Sequence, residues 1–317
     1  MAIRPAQESI PGAFYLGVLE ACRGPGHEAA GWQGQTLDGY QLEEFIDEGA
    51  SSAVFRVRSP AGERRAMKLF QTDVTRQGAE RESLLSEVVA GMRCRSPFVA
   101  RYERFALLPV PRGDGRTLPL AVCYAIQEFV EGDRLSPESF SSCGDRERAE
   151  VLYCLARGLR DMHEAGLVHR DLKTSNVRFR RGLAKWLDLG QAGIFGYRAA
   201  AGRRNPRSDR RPLNVPPEAW QRGEIVYDRW LAPGDVFSFG ALLYYLGTGR
   251  APWDAAHPER VSPDWNAFVL AGPHPFLQKL VEAALQERPA DRPTMTRVVA
   301  EMERHGWPVP HTMPEIP

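Results

Sequence analysis

Lysine is close to absent from this chain of 317 residues: only Lys68, Lys173, Lys185 and Lys279 occur, and the other 37 of 41 basic residues are arginine. Acidic residues number 40 and the net charge is +1, which removes any chain-wide electrostatic case for a nucleic-acid or acidic-membrane partner and leaves local patches only. Cysteine is sparse too. The five, at positions 22, 94, 123, 143 and 154, are odd in number and include no CxxC pair, so neither a disulfide framework nor a zinc site is indicated, and a reducing, cytoplasmic compartment is expected. No apolar run reaches the roughly 20 residues of a membrane span; the richest, 236–246, reads as a buried helix. The opening Met1-Ala2-Ile3-Arg4-Pro5 lacks the apolar core of a signal peptide, so export would have to proceed without a standard signal. What is present is a composition 43% apolar and 26% charged, enough to bury a substantial core and outside the collagen-like, low-complexity and disordered classes.

Residues 1–36 have no sustained periodicity and read as an extension with Phe14, Tyr15, Leu16 and Leu19 as docking residues. From Tyr40 the pattern turns strand-rich, with β-prone runs at 40–46, 53–57, 65–70 and 121–129 separated by Gly, Ser and Pro. One helix interrupts them over 79–92, where Leu84, Leu85, Val88, Val89 and Met92 recur at helical spacing among polar Glu82, Ser86, Glu87 and Arg93. Past Glu131 the chain reads as helical. Val151, Leu152, Leu155, Leu159 and Met162 form an amphipathic stripe; Phe237, Phe239, Leu242, Leu243 and Leu246 form a more uniformly apolar one; helices over 276–286 and 294–305 close the domain. A strand-rich part joined near 129–133 to a helical part predicts an α+β fold of two lobes with a ligand-binding cleft.

The strongest local signal is His169-Arg170-Asp171-Leu172-Lys173-Thr174-Ser175-Asn176, followed by Asp188-Leu189-Gly190. Two aspartates and an asparagine at this spacing supply a base and hard oxygen ligands suited to Mg²⁺ and phosphate. The pattern resembles the eukaryotic-type (Hanks-type) serine/threonine protein kinase family from about Tyr40 to His305. The resemblance implies a bilobal fold, with a small antiparallel sheet carrying one regulatory helix over 37–130, a larger helical lobe over 131–306 and a tail over 307–317. It implies that Asp171 takes or orients the acceptor hydroxyl's proton, that Lys173 neutralises the moving phosphoryl group, and that Asn176 and Asp188 hold Mg²⁺, with Mn²⁺ as a substitute.

Upstream, Ala66-Met67-Lys68 resembles the strand whose lysine grips the ATP α- and β-phosphates, and Glu87 matches its acidic partner, nine residues before Ser96-Pro97. By the same resemblance, Gly49, Ser51, Ser52 and Val54 would fall in the phosphate loop, and Ala66, the gatekeeper Gln127, the hinge residues Glu128 to Val130, and Asp133 would fall around the nucleotide. Downstream, Pro216-Pro217-Glu218 resembles the end of the activation segment, Asp235 to Gly240 resembles the buried helix anchoring the catalytic loop, and Arg292 matches the arginine pairing with Glu218.

The chain departs from the family at five places. Asp47 and Ser52 flank Gly49 where the family has glycines, stiffening the loop and adding a negative charge near the triphosphate. Arg178 stands where an apolar residue usually lies under the adenine; its guanidinium either stacks on the base or points away, which leaves ATP against GTP open. Gly91 removes a side chain that braces the Glu87 helix, so the extension or a regulatory partner is expected to hold that helix. Between Gly190 and Glu218 lie Arg198, Arg203, Arg204, Arg207, Arg210 and Arg211 but only two side-chain hydroxyls, Tyr197 and Ser208. That segment is either a solvated loop or a dock for an acidic or phosphorylated protein substrate, or for phosphorylated Ser208. Seven residues before Glu218, where the family places a threonine touching the catalytic Asp and Lys, stands Arg211. Transfer to protein serine or threonine hydroxyls, including autophosphorylation, is the leading expectation; a kinase-like binding module and a small-molecule kinase are the alternatives.

Overall fold

A computed structural model describes residues 32–48, 52–70, 79–111, 117–195, 211–253, 260–268 and 275–310. Gly49 and Ser51, the docking residues Phe14, Tyr15, Leu16 and Leu19, and Tyr197, Arg198, Arg203, Arg204, Arg207, Ser208 and Arg210 lie outside them. The chain divides into two compact units, Met1–Val88 with Arg101–Phe129 and Val89–Ala100 with Val130–Pro317.

The first unit holds a six-stranded antiparallel sheet of β1 (Thr36–Leu37), β2 (Tyr40–Glu48), β3 (Ser52–Arg58), β4 (Arg64–Phe70), β5 (Tyr102–Pro111) and β6 (Thr117–Glu128), in the order β1-β2-β3-β4-β6-β5. Alternation along β3 explains its two faces. Ala53, Phe55 and Val57 join Trp32, Leu37, Leu42, Met67, Leu69, Tyr124 and Ile126 in one buried cluster, each large side chain contributing about 1.5–3 kcal/mol on burial. The opposite face carries Val54, Lys68 and Ala125 in mutual register, with Ala66 opposite Gln127. Asp38 and Gly39, both at positive φ, turn β1 into β2, as an Asp-Gly pair favours. β5 was not expected from sequence; it is an edge strand interrupted by two prolines and irregular in register, where the period-2 signal is weak.

The helix α1 (Ala79–Arg93) forms, and its predicted apolar stripe is buried only in part, at Leu84 and partly at Val88 and Val89. Leu84, Ser86, Glu87 and Ala90 are buried, whereas Leu85 and Met92 are about half exposed. At 100° per residue Leu85 and Met92 share a face opposite Glu87, and that carboxylate faces inward because cationic and hydroxyl donors meet it there.

The second unit contains α2 (Pro137–Ser141), α3 (Asp145–Glu164), α4 (Ala232–Thr248), α5 (Pro275–Ala284) and α6 (Met295–Arg304), with short ribbons β7 (Asp133–Arg134), β8 (Leu167–Val168), β9 (Val177–Arg180), β10 (Leu183–Trp186), β11 (Gly193–Ile194), β12 (Trp220–Gln221) and β13 (Glu224–Ile225). α3 buries Val151, Leu152, Leu155, Leu159 and Met162, the stripe read from sequence. α4 is apolar nearly all round and is buried along most of its length; Pro233 opens it and Gly249, left-handed at φ 69°, closes it. Thr294 caps α6 by accepting from the Arg297 N–H. No helix among the described residues is long and apolar enough to cross a membrane.

Candidate active site

In the first unit the sheet delivers Lys68 from the middle of β4, flanked by β3 and β6. Its Nζ lies 2.7 Å from Glu87 Oε1 on α1, and both side chains are almost fully buried. The Tyr102 hydroxyl, on β5, donates to the same Oε1 at 2.7 Å. A buried carboxylate requires such compensation, because an uncompensated charge there would cost several kcal/mol. Nearby, burial and then the Glu87 charge push the Cys123 thiol up to about 12.

In the second unit the 169–176 loop folds around Asp171. Lys173 Nζ lies 2.8 Å from Asp171 Oδ2. The buried Asn176 donates from Nδ2 to the Asp171 carbonyl at 2.9 Å and to its Oδ2 at 3.0 Å. Asn214 Nδ2 donates to the other oxygen, Oδ1, at 2.9 Å. The carboxylate is thus held by three side chains on its two oxygens. Asp188 sits in a tight turn, its Oδ1 accepting from the Gly190 N–H at 2.8 Å.

α4 fixes this loop from beneath. Asp235, fully buried, accepts from the backbone N–H of His169 at 2.6 Å and of Arg170 at 2.9 Å, and from Trp230 Nε1 at 3.1 Å, with His163 Nε2 3.0 Å away. Burial works to raise this carboxyl's pKa, but the His163 hydrogen bond, the charges of His163 and His169 and the Arg170 N–H overcome it and leave the value below the ordinary one. Two main-chain donors on one buried carboxylate explain how Arg170 is kept at φ 65°, a conformation costly for a non-glycine residue.

Glu218 and Arg292, 74 positions apart, form a two-pronged ion pair at 2.7 and 2.9 Å. The buried guanidinium places its other hydrogens on the carbonyls of Gln286, Pro233 and Glu287, so all five donors are used. Arg211 packs on aromatic rings. It is buried with its guanidinium 3.8 Å from the Trp253 ring centroid and 5.5 Å from that of Phe237, an arrangement in which flat delocalised charge rests on aromatic faces.

The remaining predicted positions separate by unit. Ser52, Val54, Ala66 and Gln127 share the Lys68 face of the sheet. Glu128 spends its amide N–H on the Arg101 carbonyl at 2.8 Å, and its side chain accepts from the Arg101 N–H at 3.3 Å. Val130 belongs to the second unit, as does Asp133, which pairs with Phe179 and lines a surface cleft of about 340 Å³ beside Cys143, Glu147 and Arg180. Arg178 lies on β9 between Arg134 and Lys185.

Sequence reasoning missed two residues of this site. Tyr102 lay in an unrecognised edge strand. Asn214 lay three positions beyond the one that counting back from Glu218 had singled out; its neighbours, Pro212 and the buried Val215, close a turn that presents it, a signal visible only in retrospect.

Residues 40–305 match the family described as protein kinase domain. The chain is 29% identical over 269 residues to the serine/threonine-protein kinase AfsK of Streptomyces coelicolor, covering 81% of this chain and 30% of that protein. It is 29% identical to the serine/threonine-protein kinase PksC of the same organism, covering 82% of this chain and 48% of the relative. To the probable serine/threonine-protein kinase PknB of Corynebacterium glutamicum it is 26% identical, covering 84% of this chain and 42% of the relative. The chain therefore spans less than half the length of these curated relatives.

Proposed function

The chain belongs to the protein kinase family, and we propose that it transfers the γ-phosphoryl group of ATP to serine or threonine hydroxyls of protein substrates, its own included, in the cytoplasm. The observation that carries this is the Asp171 carboxylate held by Lys173, Asn176 and Asn214. A carboxylate so oriented is suited to accept the acceptor hydroxyl's proton as its oxygen bonds to phosphorus and the bond from phosphorus to the β-phosphate oxygen breaks. Lys173 offsets negative charge on the moving group, and Lys68, oriented by Glu87, holds the α- and β-phosphates.

A divalent cation fits the donors present. Asn176 turns its amide nitrogen to Asp171, leaving its carbonyl oxygen as a hard donor, and Asp188 adds a carboxylate. Two protein oxygens suit Mg²⁺, an ion that takes one or two of them and fills its shell with phosphate and water. When bound, the cation neutralises phosphate charge and aligns the transferring group. The arginine-rich segment before Glu218 favours acidic or phosphorylated substrates.

Labelled γ-phosphate transfer to self, to generic protein and to small acceptors tests this. Asp171→Asn and Lys68→Ala should each abolish transfer while the protein stays folded; undiminished transfer by both variants overturns the assignment.

A further inference from the structure

We propose that Asn214 is a positioning residue for Asp171, orienting its carboxylate through the side-chain amide. This rests on the phosphotransfer activity proposed above. Lys173 and Asn176 both bind Asp171 Oδ2, and among the described residues Asn214 is the one side chain donating to Oδ1. An ionised carboxylate oxygen has two lone-pair directions. With Asn214 on one of them at Oδ1, rotation of the carboxylate is stopped and the second direction is presented to an incoming hydroxyl.

The contact is built from one rigid element. Asp235 on α4 binds the backbone N–H groups of His169 and Arg170, which fixes the start of the Asp171 loop. Ser238, three residues later on the same helix face, donates its buried hydroxyl to the Asn214 carbonyl. Phe237, between them, receives the Arg211 guanidinium, and Trp253 stacks on Phe237 at 19° to form the rest of that platform. Two residues of α4, three positions apart, therefore hold the backbone at or next to each partner of the Asn214–Asp171 bond. Arg211, three residues before Asn214, is buried against these rings. An arginine pointing at Asp171 would instead form a competing ion pair with the group that must receive the hydroxyl.

The test uses the full chain and compares Asn214→Ala, the near-isosteric Asn214→Asp and Ser238→Ala with wild type and Asp171→Asn. Expected are a fall in kcat of about 10- to 100-fold for Asn214→Ala, the range in which misplacement of a reacting group acts, with KM for ATP and melting temperature within error of wild type. Asn214→Asp, which removes the donor and sets a like charge beside Asp171, should fall at least as far, and Ser238→Ala should fall less in the same direction. Wild-type kcat in Asn214→Ala and Asn214→Asp, with Asp171→Asn inactive, overturns the role of Asn214 and spares the kinase assignment. A loss of kcat that only tracks loss of melting temperature, with Asn214→Asp better than Asn214→Ala, also overturns it by marking a structural contact. A wild-type protein without transfer to any acceptor overturns both.

Discussion

The Tyr102 hydroxyl donates to the same Glu87 oxygen that meets Lys68 Nζ, each at 2.7 Å. Glu87 sits on a helix whose exposed side carries Leu85 and Met92 and whose sequence includes Gly91, a residue that weakens helices by about 1 kcal/mol relative to alanine. A hydrogen bond to a charged group contributes about 1.5–3 kcal/mol, enough to offset that weakness. Tyr102→Phe removes only the oxygen. It should lower ATP affinity about 3- to 10-fold and the melting temperature by a few degrees, read by nucleotide titration and thermal unfolding; unchanged values in both would show that Lys68 alone orients Glu87.

Arg292 is a group whose removal should cost much stability. Arg292→Ala strands Glu218 and leaves three backbone carbonyls without their donor, a loss of about 3–5 kcal/mol. Arg292→Lys should recover little, since three donors on a point charge cannot reproduce a planar fork of five. Chemical denaturation of both variants measures this, and a lysine variant as stable as wild type would refute the geometric account.

Asp235 predicts an acid-side dependence. Its carboxyl is held below the ordinary value in the folded protein, so its contribution is fully present above the unfolded pKa of about 3.9 and is lost as pH falls through the lower folded value. The folded protein should therefore lose stability steeply below about pH 4. Asp235→Asn should be less stable at neutral pH, with a flatter acid limb, as denaturation midpoints from pH 7 to pH 3 would reveal; parallel limbs would exclude Asp235 as a source of the slope.

Thiol labelling offers a check on packing. Burial pushes the thiols of Cys94, Cys123 and Cys154 up to about 12 each, with charges from Asp161, Glu87 and Glu150 adding to it. Cys143 is only partly buried. Alkylation of the native protein at pH 8, mapped by peptide mass, should modify Cys143 well before these three, which should label only on unfolding. Early labelling of Cys123 would contradict the packing beside Glu87.

The local sequence determined a good deal by itself. Alternation of Ala53, Phe55 and Val57 against Val54 specifies a strand with one apolar face, because successive side chains point to opposite sides. The stripe from Val151 to Met162 specifies α3, and the spacing from His169 to Asn176 places Asp171, Lys173 and Asn176 within one short loop, where chain connectivity alone keeps them close. Tertiary structure decided the rest. Which face of α1 is buried, the finding that Arg211 lies on Trp253, and the roles of Tyr102 and Asn214 all rest on partners outside their own turn or strand. Tyr102 meets Glu87 across 15 positions and Asn214 meets Asp171 across 43. Contacts of that reach depend on how whole elements pack, and a helix or strand period carries information only about neighbours a few residues away.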